Sequence, residues 1–223
     1  MALTDEAILR IKEMIVSGQL GPGDRLPREA DLAETLGLSR NSLREAVKAL
    51  SLMNILDVRQ GDGTYVTSLD PNLLLDALTF VVDFHRDDSV LEFLRVRRIL
   101  EPAAAAMAAQ RVSQEELRAM QAVVDDSLTG TTPEDVLAFD IEFHRLIGTA
   151  SGNSVLASLI EGLSAPTNRA RVWRGRTQSG AQERTVREHQ AVLDALAAGE
   201  PDLAHAAMVA HVAGVENWLR MVR

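Results

Sequence analysis

The chain has 223 residues, 46% of them hydrophobic, and a formal net charge of −9. Cysteine is absent, which excludes disulfides and thiolate metal sites, and the acidic balance argues against a protein that coats nucleic acid nonspecifically. With aromatics at only 4% and Ala and Leu abundant, one or two domains built from closely packed helices are expected.

Asp5, Glu6, Arg10 and Lys12 interrupt any apolar run at the start, so no signal peptide is expected there. The apolar stretches fall far short of a membrane span. The expectation is a soluble, cytoplasmic protein with no membrane partner. Residues 4–17 carry Ile8, Ile11, Ile15 and Val16, the pattern of a helix with one buried face. Gly18 can end it, and GQLGPGDRLP reads as a turn-rich connector. Leu32, Ala33 and Leu36 then give a second helical face, and Leu43, Ala46, Val47 and Leu50 a third. Gly37 follows Leu36, where a helix-ending residue must take positive φ. Ser39 stands at the next N-cap, where its oxygen can accept an orphan backbone N–H. Asn54 suits the end of the third helix, because Asn tolerates the left-handed conformation next best after Gly. Ile55 to Arg59 and Thr64 to Thr67 are β-type segments around a Gly-rich tip, hence a hairpin, or wing.

Three helices and a hairpin make a winged helix-turn-helix. Its alternative use is a protein-interaction module. DNA binding is favoured because Arg40, Asn41, Ser42 and Arg44 occupy the start of the third helix, where a recognition helix meets bases and phosphates. Residues 1–69 hold 8 Lys+Arg against 10 Asp+Glu, a net of −2, and leave −7 to the rest. A nearly neutral head with local cations at Arg25, Arg28, Arg40, Arg44, Lys48 and Arg59 can bind DNA while an acidic body limits stray contacts.

The segment VSGQLGPGDRLPREADLAETLGLSRNSLREAVKALSLMNILDVRQGDGTYV resembles the N-terminal domain of GntR-family transcriptional regulators. The resemblance rests on the SG-x-L-x-PGD-x-LP lead-in, the LSRNSLREA helix and the GDGTYV wing. It implies operator contacts from Arg40, Asn41, Ser42 and Arg44, with Ser39 at the cap and Gln60 and Gly61 at the wing tip. Where the family often has ERELA in its second helix, this chain has Ala30 in place of the Arg, so that either Arg28, two residues earlier, substitutes or one contact is lost.

Asp70-Pro71 marks an expected boundary between a DNA-binding domain over 1–69 and an all-helical domain over 70–223, with a hinge near 66–72. Breakers divide the second part into helices over about 71–86, 89–111, 114–129, 133–150, 153–174, 180–198 and 201–221. Ser113 with Glu116 forms a capping box. Seven helices in this length imply an antiparallel bundle. The fold class is therefore mainly α, a winged helix-turn-helix followed by a seven-helix bundle.

Asp140 and His144 are four apart and share one helix face, so they can grip one ion. His189 and His211 fall on two later helices. A lone His on a helix is more often a satisfied core or surface group, and His85 and His205 read as solvated. One carboxylate with three imidazoles suits a borderline divalent ion such as Zn²⁺, with Ni²⁺, Mn²⁺ or Fe²⁺ as alternatives.

LRVRRILEPAAAAMAA, D-x-x-FH-x-x-I-x-x-ASGN and EH-x-x-VLDAL-x-x-GE-x-x-x-A-x-x-x-M-x-x-H are similar to the FCD ligand-binding domain of the FadR subfamily. The resemblance implies a metal held by Asp140, His144, His189 and His211, and speaks against a fatty-acyl effector. Open coordination positions suit a ligand carboxylate. Arg97 is the leading candidate to pair with it, its alternative being an ion pair with Glu101 at i+4. Asn217 is a weaker candidate, and Asn168, Arg169 and Arg171 read as an exposed basic face. The expectation is a homodimeric regulator, a repressor in most of the family. It would read an imperfect palindrome of double-stranded operator DNA and sense a small carboxylate effector. Two rivals keep the fold: a purely structural metal with the effector elsewhere, and a metal-dependent enzyme. The second lacks an independent general base, so no enzymatic activity is expected.

Overall fold

The computed structural model describes residues 3–69 and 88–222. The helix expected over 71–86, the Asp70-Pro71 boundary, His85 and the latter part of the expected hinge lie outside the described residues. The chain divides into two compact units, residues 1–74 and 75–223, each taken by itself below.

In the first unit, α1 (Leu3–Val16), α2 (Glu29–Leu36) and α3 (Arg40–Leu52) precede β1 (Leu56–Arg59) and β2 (Gly63–Val66). Most of the apolar positions read from the sequence form its core: Ile11, Leu32, Leu43, Ala46, Val47 and Leu50 are buried, with Ile8, Ile15 and Leu36 packed partly against them, whereas Val16, at the last residue of α1, is exposed. Gly37 ends α2 at φ 68°, the left-handed turn that lets α3 leave at an angle. Ser39 Oγ accepts the Ser42 amide at 3.0 Å and so caps α3. Asn54 takes φ 55° just beyond the helix end. The hairpin is antiparallel, pairing Leu56 with Val66 and Arg59 with Gly63. The connector before α2 does more than turn. Leu26 donates to the Thr64 carbonyl at 2.8 Å and Val66 to the Asp24 carbonyl at 2.9 Å, so residues 23–26 line the free edge of β2. Without alternating apolar residues this stretch carries no strand signal in the sequence.

In the second unit the helices are α4 (Asp88–Ala109), α5 (Gln114–Ser127), α6 (Pro133–Ala150), α7 (Ser154–Ser164), α8 (Asn168–Thr177), α9 (Ala181–Ala197) and α10 (Pro201–Met221). The Ser113–Glu116 box opens α5, and a second box, Thr132 with Asp135, opens α6. The single helix expected over 153–174 is instead two. A 3₁₀ turn, Ala165–Thr167, separates α7 from α8, because Pro166 has no N–H to continue the ladder and its ring crowds the preceding turn. The second helix then runs on to Thr177. Phe143, Ile147, Met120, Leu196, Met208 and Val212 fill the bundle interior. A smaller cluster joins Leu94, Ala170, Val215, Trp218 and Leu219. Beside it the rings of Trp173 and Trp218 meet edge to face, centroids 5.0 Å apart. No helix among the described residues is long and apolar enough to cross a membrane.

Candidate functional site

Three helices bring one carboxylate and three imidazoles together inside the bundle. Asp140 and His144 come from α6, His189 from α9 and His211 from α10, all buried. One donor atom from each lies within 4.8 Å of all the others. His144 Nε2 is 3.1 Å from His211 Nε2, which is 3.3 Å from His189 Nε2. Asp140 Oδ1 lies 3.1 Å from His189 Nε2. Two nitrogens bound about 2.1 Å from one ion sit about 3.0–3.4 Å apart, depending on the bond angle, so these separations are those of a ligand shell.

The far sides of two rings face carboxylates. His144 Nδ1 lies 2.9 Å from Glu101 Oε2, and His211 Nδ1 lies 3.0 Å from Glu188 Oε2. The His211 contact is a hydrogen bond to a carboxylate, which only accepts, so its Nδ1 carries the proton and its Nε2 presents a lone pair to the shared centre; Glu101 faces His144 as an ion-pair partner. Lone pairs at this range repel unless a cation sits between them. The donor set therefore fits a divalent metal. Phe143 stacks on the His189 ring, centroids 4.1 Å apart, and holds its plane.

Electrostatics prepare the same groups. Burial would raise the Asp140 carboxyl, but the Arg171 guanidinium and the facing imidazoles outweigh it and hold Asp140 well below the usual carboxylate range. Glu101 is lowered in the same way, burial being overcome by Arg97 and His144. Burial pushes His189 down to about 3, with His211 adding to the effect, and burial also lowers His211. His144 goes the other way: burial opposes the charge, but Glu101 and Asp140 raise the ring above its ordinary value.

The expected effector residues separate. Arg97 is buried in an ion pair with Glu101 at 2.5 Å and donates to Thr167 Oγ1 at 2.9 Å. It does not line the cavity beside the histidine cluster, and the geometry gives its i+4 ion pair. Asn217 is exposed on α10 and also stays out of that cavity. Arg171, read as part of an exposed face, is instead buried. It pairs with Asp140 Oδ2 and donates to Ser164 Oγ at 2.7 Å and Asn168 Oδ1 at 2.6 Å. Arg169 and His205 are exposed as expected. The cavity, about 200 Å³, is walled by Asp140, His211, Arg171, Arg174, Thr185 and Val215, among others. Sequence reasoning missed Glu188 and Arg174, and named Glu101 only as the partner of Arg97 and not of His144. The signal for Arg174 was spacing: Arg171 and Arg174 share a helix face that Arg169 does not.

In the first unit, Arg28, Ser39, Arg40, Asn41, Arg44, Gln60 and Gly61 are all exposed. Ser42 is buried, its hydroxyl 2.8 Å from that of Ser39. Arg44 Nε donates to Glu29 at 3.3 Å, an exposed pair that a phosphate can displace. Gly61 turns the wing tip at φ 75°. Arg59 lies over the Tyr65 ring at 4.3 Å and stiffens the wing.

A winged helix-turn-helix joined to a helical domain with a buried metal-ready cluster and an adjacent cavity defines a class: DNA-binding regulators that respond to a small molecule. Residues 3–66 match the gntR family of bacterial regulatory proteins, and residues 92–214 match the FCD domain. The chain is 32% identical to the HTH-type transcriptional regulator LutR of Bacillus subtilis (strain 168), over 92% of this chain and 96% of that protein. It is 28% identical to the galactonate operon transcriptional repressor of Escherichia coli (strain K12), over 98% of this chain and 97% of that one. Among solved structures, Streptococcus agalactiae GntR superposes with a TM-score of 0.76 at 27% identity, covering 96% of this chain and 99% of the other. The protein belongs to the GntR family of transcriptional regulators and carries an FCD ligand-binding domain; its relatives are regulators and not enzymes.

Proposed function

We propose that the protein is a homodimeric repressor whose FCD domain binds a divalent metal, Zn²⁺ first among the candidates, and a small carboxylate beside it. Asp140, His144, His189 and His211 hold the ion. When bound, it supplies a Lewis-acidic anchor for the effector carboxylate. The observation that carries the reading is the convergence of three imidazole Nε2 atoms and one carboxylate oxygen, with the His211 proton held on the far side of its ring by Glu188. Zn²⁺ suits a borderline nitrogen and oxygen donor set, with Ni²⁺, Mn²⁺ and Fe²⁺ as competitors. Asp140 and His211 also wall the cavity, which favours a metal that meets the effector over a purely structural one.

In the head, residues 1–69, Arg40, Asn41 and Arg44 read bases and phosphates, Arg28, Gln60 and Gly61 add contacts, and Ser39 with Ser42 fixes the start of the recognition helix. A two-fold dimer places two such heads on an imperfect palindrome of operator DNA. The experiment is metal analysis of the purified protein, then gel shifts on its own upstream DNA with and without small organic acids. One equivalent of metal and acid-dependent release of DNA are expected. Metal-free preparations that bind acids equally well would defeat the metal-linked reading.

A further inference from the structure

Arg174 is a buried cation without a full set of partners. The residue is 3% exposed, and its Nη2 finds no hydrogen-bond partner among the described residues. Its Nε donates to Gln178 Oε1 at 2.7 Å, which fixes the plane of the guanidinium and leaves the other edge uncommitted. That residue walls the same cavity as Asp140 and His211. An unpaired buried charge is costly, and an anion arriving from the cavity removes the cost.

The surrounding charges say how much anion is wanted. Asp140 pairs with Arg171 and Glu101 with Arg97, so both couples cancel. Glu188, bonded to His211, offsets Arg174 in sum without pairing with it. With neutral imidazoles, a divalent metal therefore leaves the site at about +2. A monocarboxylate on the metal cancels half of this and leaves Arg174 unsatisfied. An acid with a carboxylate at each end meets the metal with one and Arg174 with the other. A cavity of about 200 Å³ admits only a short molecule.

Resting on the reading of this cavity as the effector site, we infer that Arg174 anchors a second anionic end, so that the effector is a small dicarboxylate. The galactonate named for one relative has a single carboxylate, and this chain would differ from that ligand class. The test is calorimetric titration of the metal-loaded full-length protein with succinate, malate and tartrate against butyrate, lactate and gluconate. Dicarboxylates should bind roughly ten- to a hundredfold more tightly, the range of one charge-assisted contact. Arg174→Gln should erase that preference by weakening dicarboxylates far more than monocarboxylates, with metal content retained, and Arg174→Lys should keep part of it. Equal affinity for matched mono- and dicarboxylates, or equal losses for both in Arg174→Gln, would overturn the inference and spare the effector site. Binding of neither kind of acid would overturn the effector site as well. If Arg174→Gln fails to fold, the comparison on the unaltered protein still decides.

Discussion

Each imidazole at the metal cluster faces two ways, and the outward side decides what the inward side can do. His211 holds a proton toward Glu188, which leaves a lone pair on its inward nitrogen, and Glu101 faces the outer nitrogen of His144 as an ion-pair partner. Without metal, His144 is raised above its ordinary value by Glu101 and Asp140, so it keeps into less acid solution an extra proton that the metal must expel. Metal affinity should therefore be full above that pKa and fall about tenfold per pH unit below it, for one displaced proton. His189 and His211 are both lowered and add no competing proton until the solution is more acid. Competition against a chromogenic chelator between about pH 6 and about pH 9 measures this, and a flat profile would contradict it. On the DNA side, Arg40→Ala with Arg44→Ala should cost about two orders of magnitude or more in operator affinity, since a good bidentate base contact is worth about 1–3 kcal/mol. Circular dichroism should show the fold intact, because both side chains are exposed.

At the level of elements, the short-range rules carried the reading far. Gly37, Ser39 and Asn54 each do locally what their chemistry suggests, and the Ser113–Glu116 box forms as written. Ser113→Ala should cost about 1 kcal/mol, lowering the melting temperature of the helical unit by about 2–4 °C. A drop of zero in a thermal scan would mean the cap is redundant. What the sequence did not yield was mostly long-range. Pro166 warned of a break, yet helical spacing on both sides masked it. The pairing of residues 23–26 with β2 depends on backbone groups that no side-chain pattern encodes. Arg171 looked like part of a solvated run because its partner, Asp140, lies 31 residues away in sequence. By contrast, the four residues of the buried cluster were legible from a D-x-x-x-H spacing and two later motifs. The LRVRRILE motif pointed to Arg97, which pairs with Glu101 behind His144 and does not line the cavity.

For the whole molecule, control of DNA by an acid requires that the ligand prefer one arrangement of the protein over another. Moving the population from almost all bound to almost all free takes about 10⁴-fold differential affinity, or about 5.5 kcal/mol. Stripping the metal tests how much of the helical unit depends on it. Because the chain forms two compact units, melting should show two transitions, and a chelator should lower only the one that belongs to the helical unit. A shift of both together would indicate a single cooperative body.

The tryptophan pair gives this molecule a built-in optical gauge. Both indoles of the chain, Trp173 and Trp218, sit on α8 and α10, the helices that also carry Arg174 and His211. The operator-reading head contains none. Ultraviolet emission excited at the indole band thus arises wholly from the acid-sensing half. Any rearrangement of those two helices as the cavity fills will alter quenching between the rings, so occupancy can be followed in real time without attaching a dye.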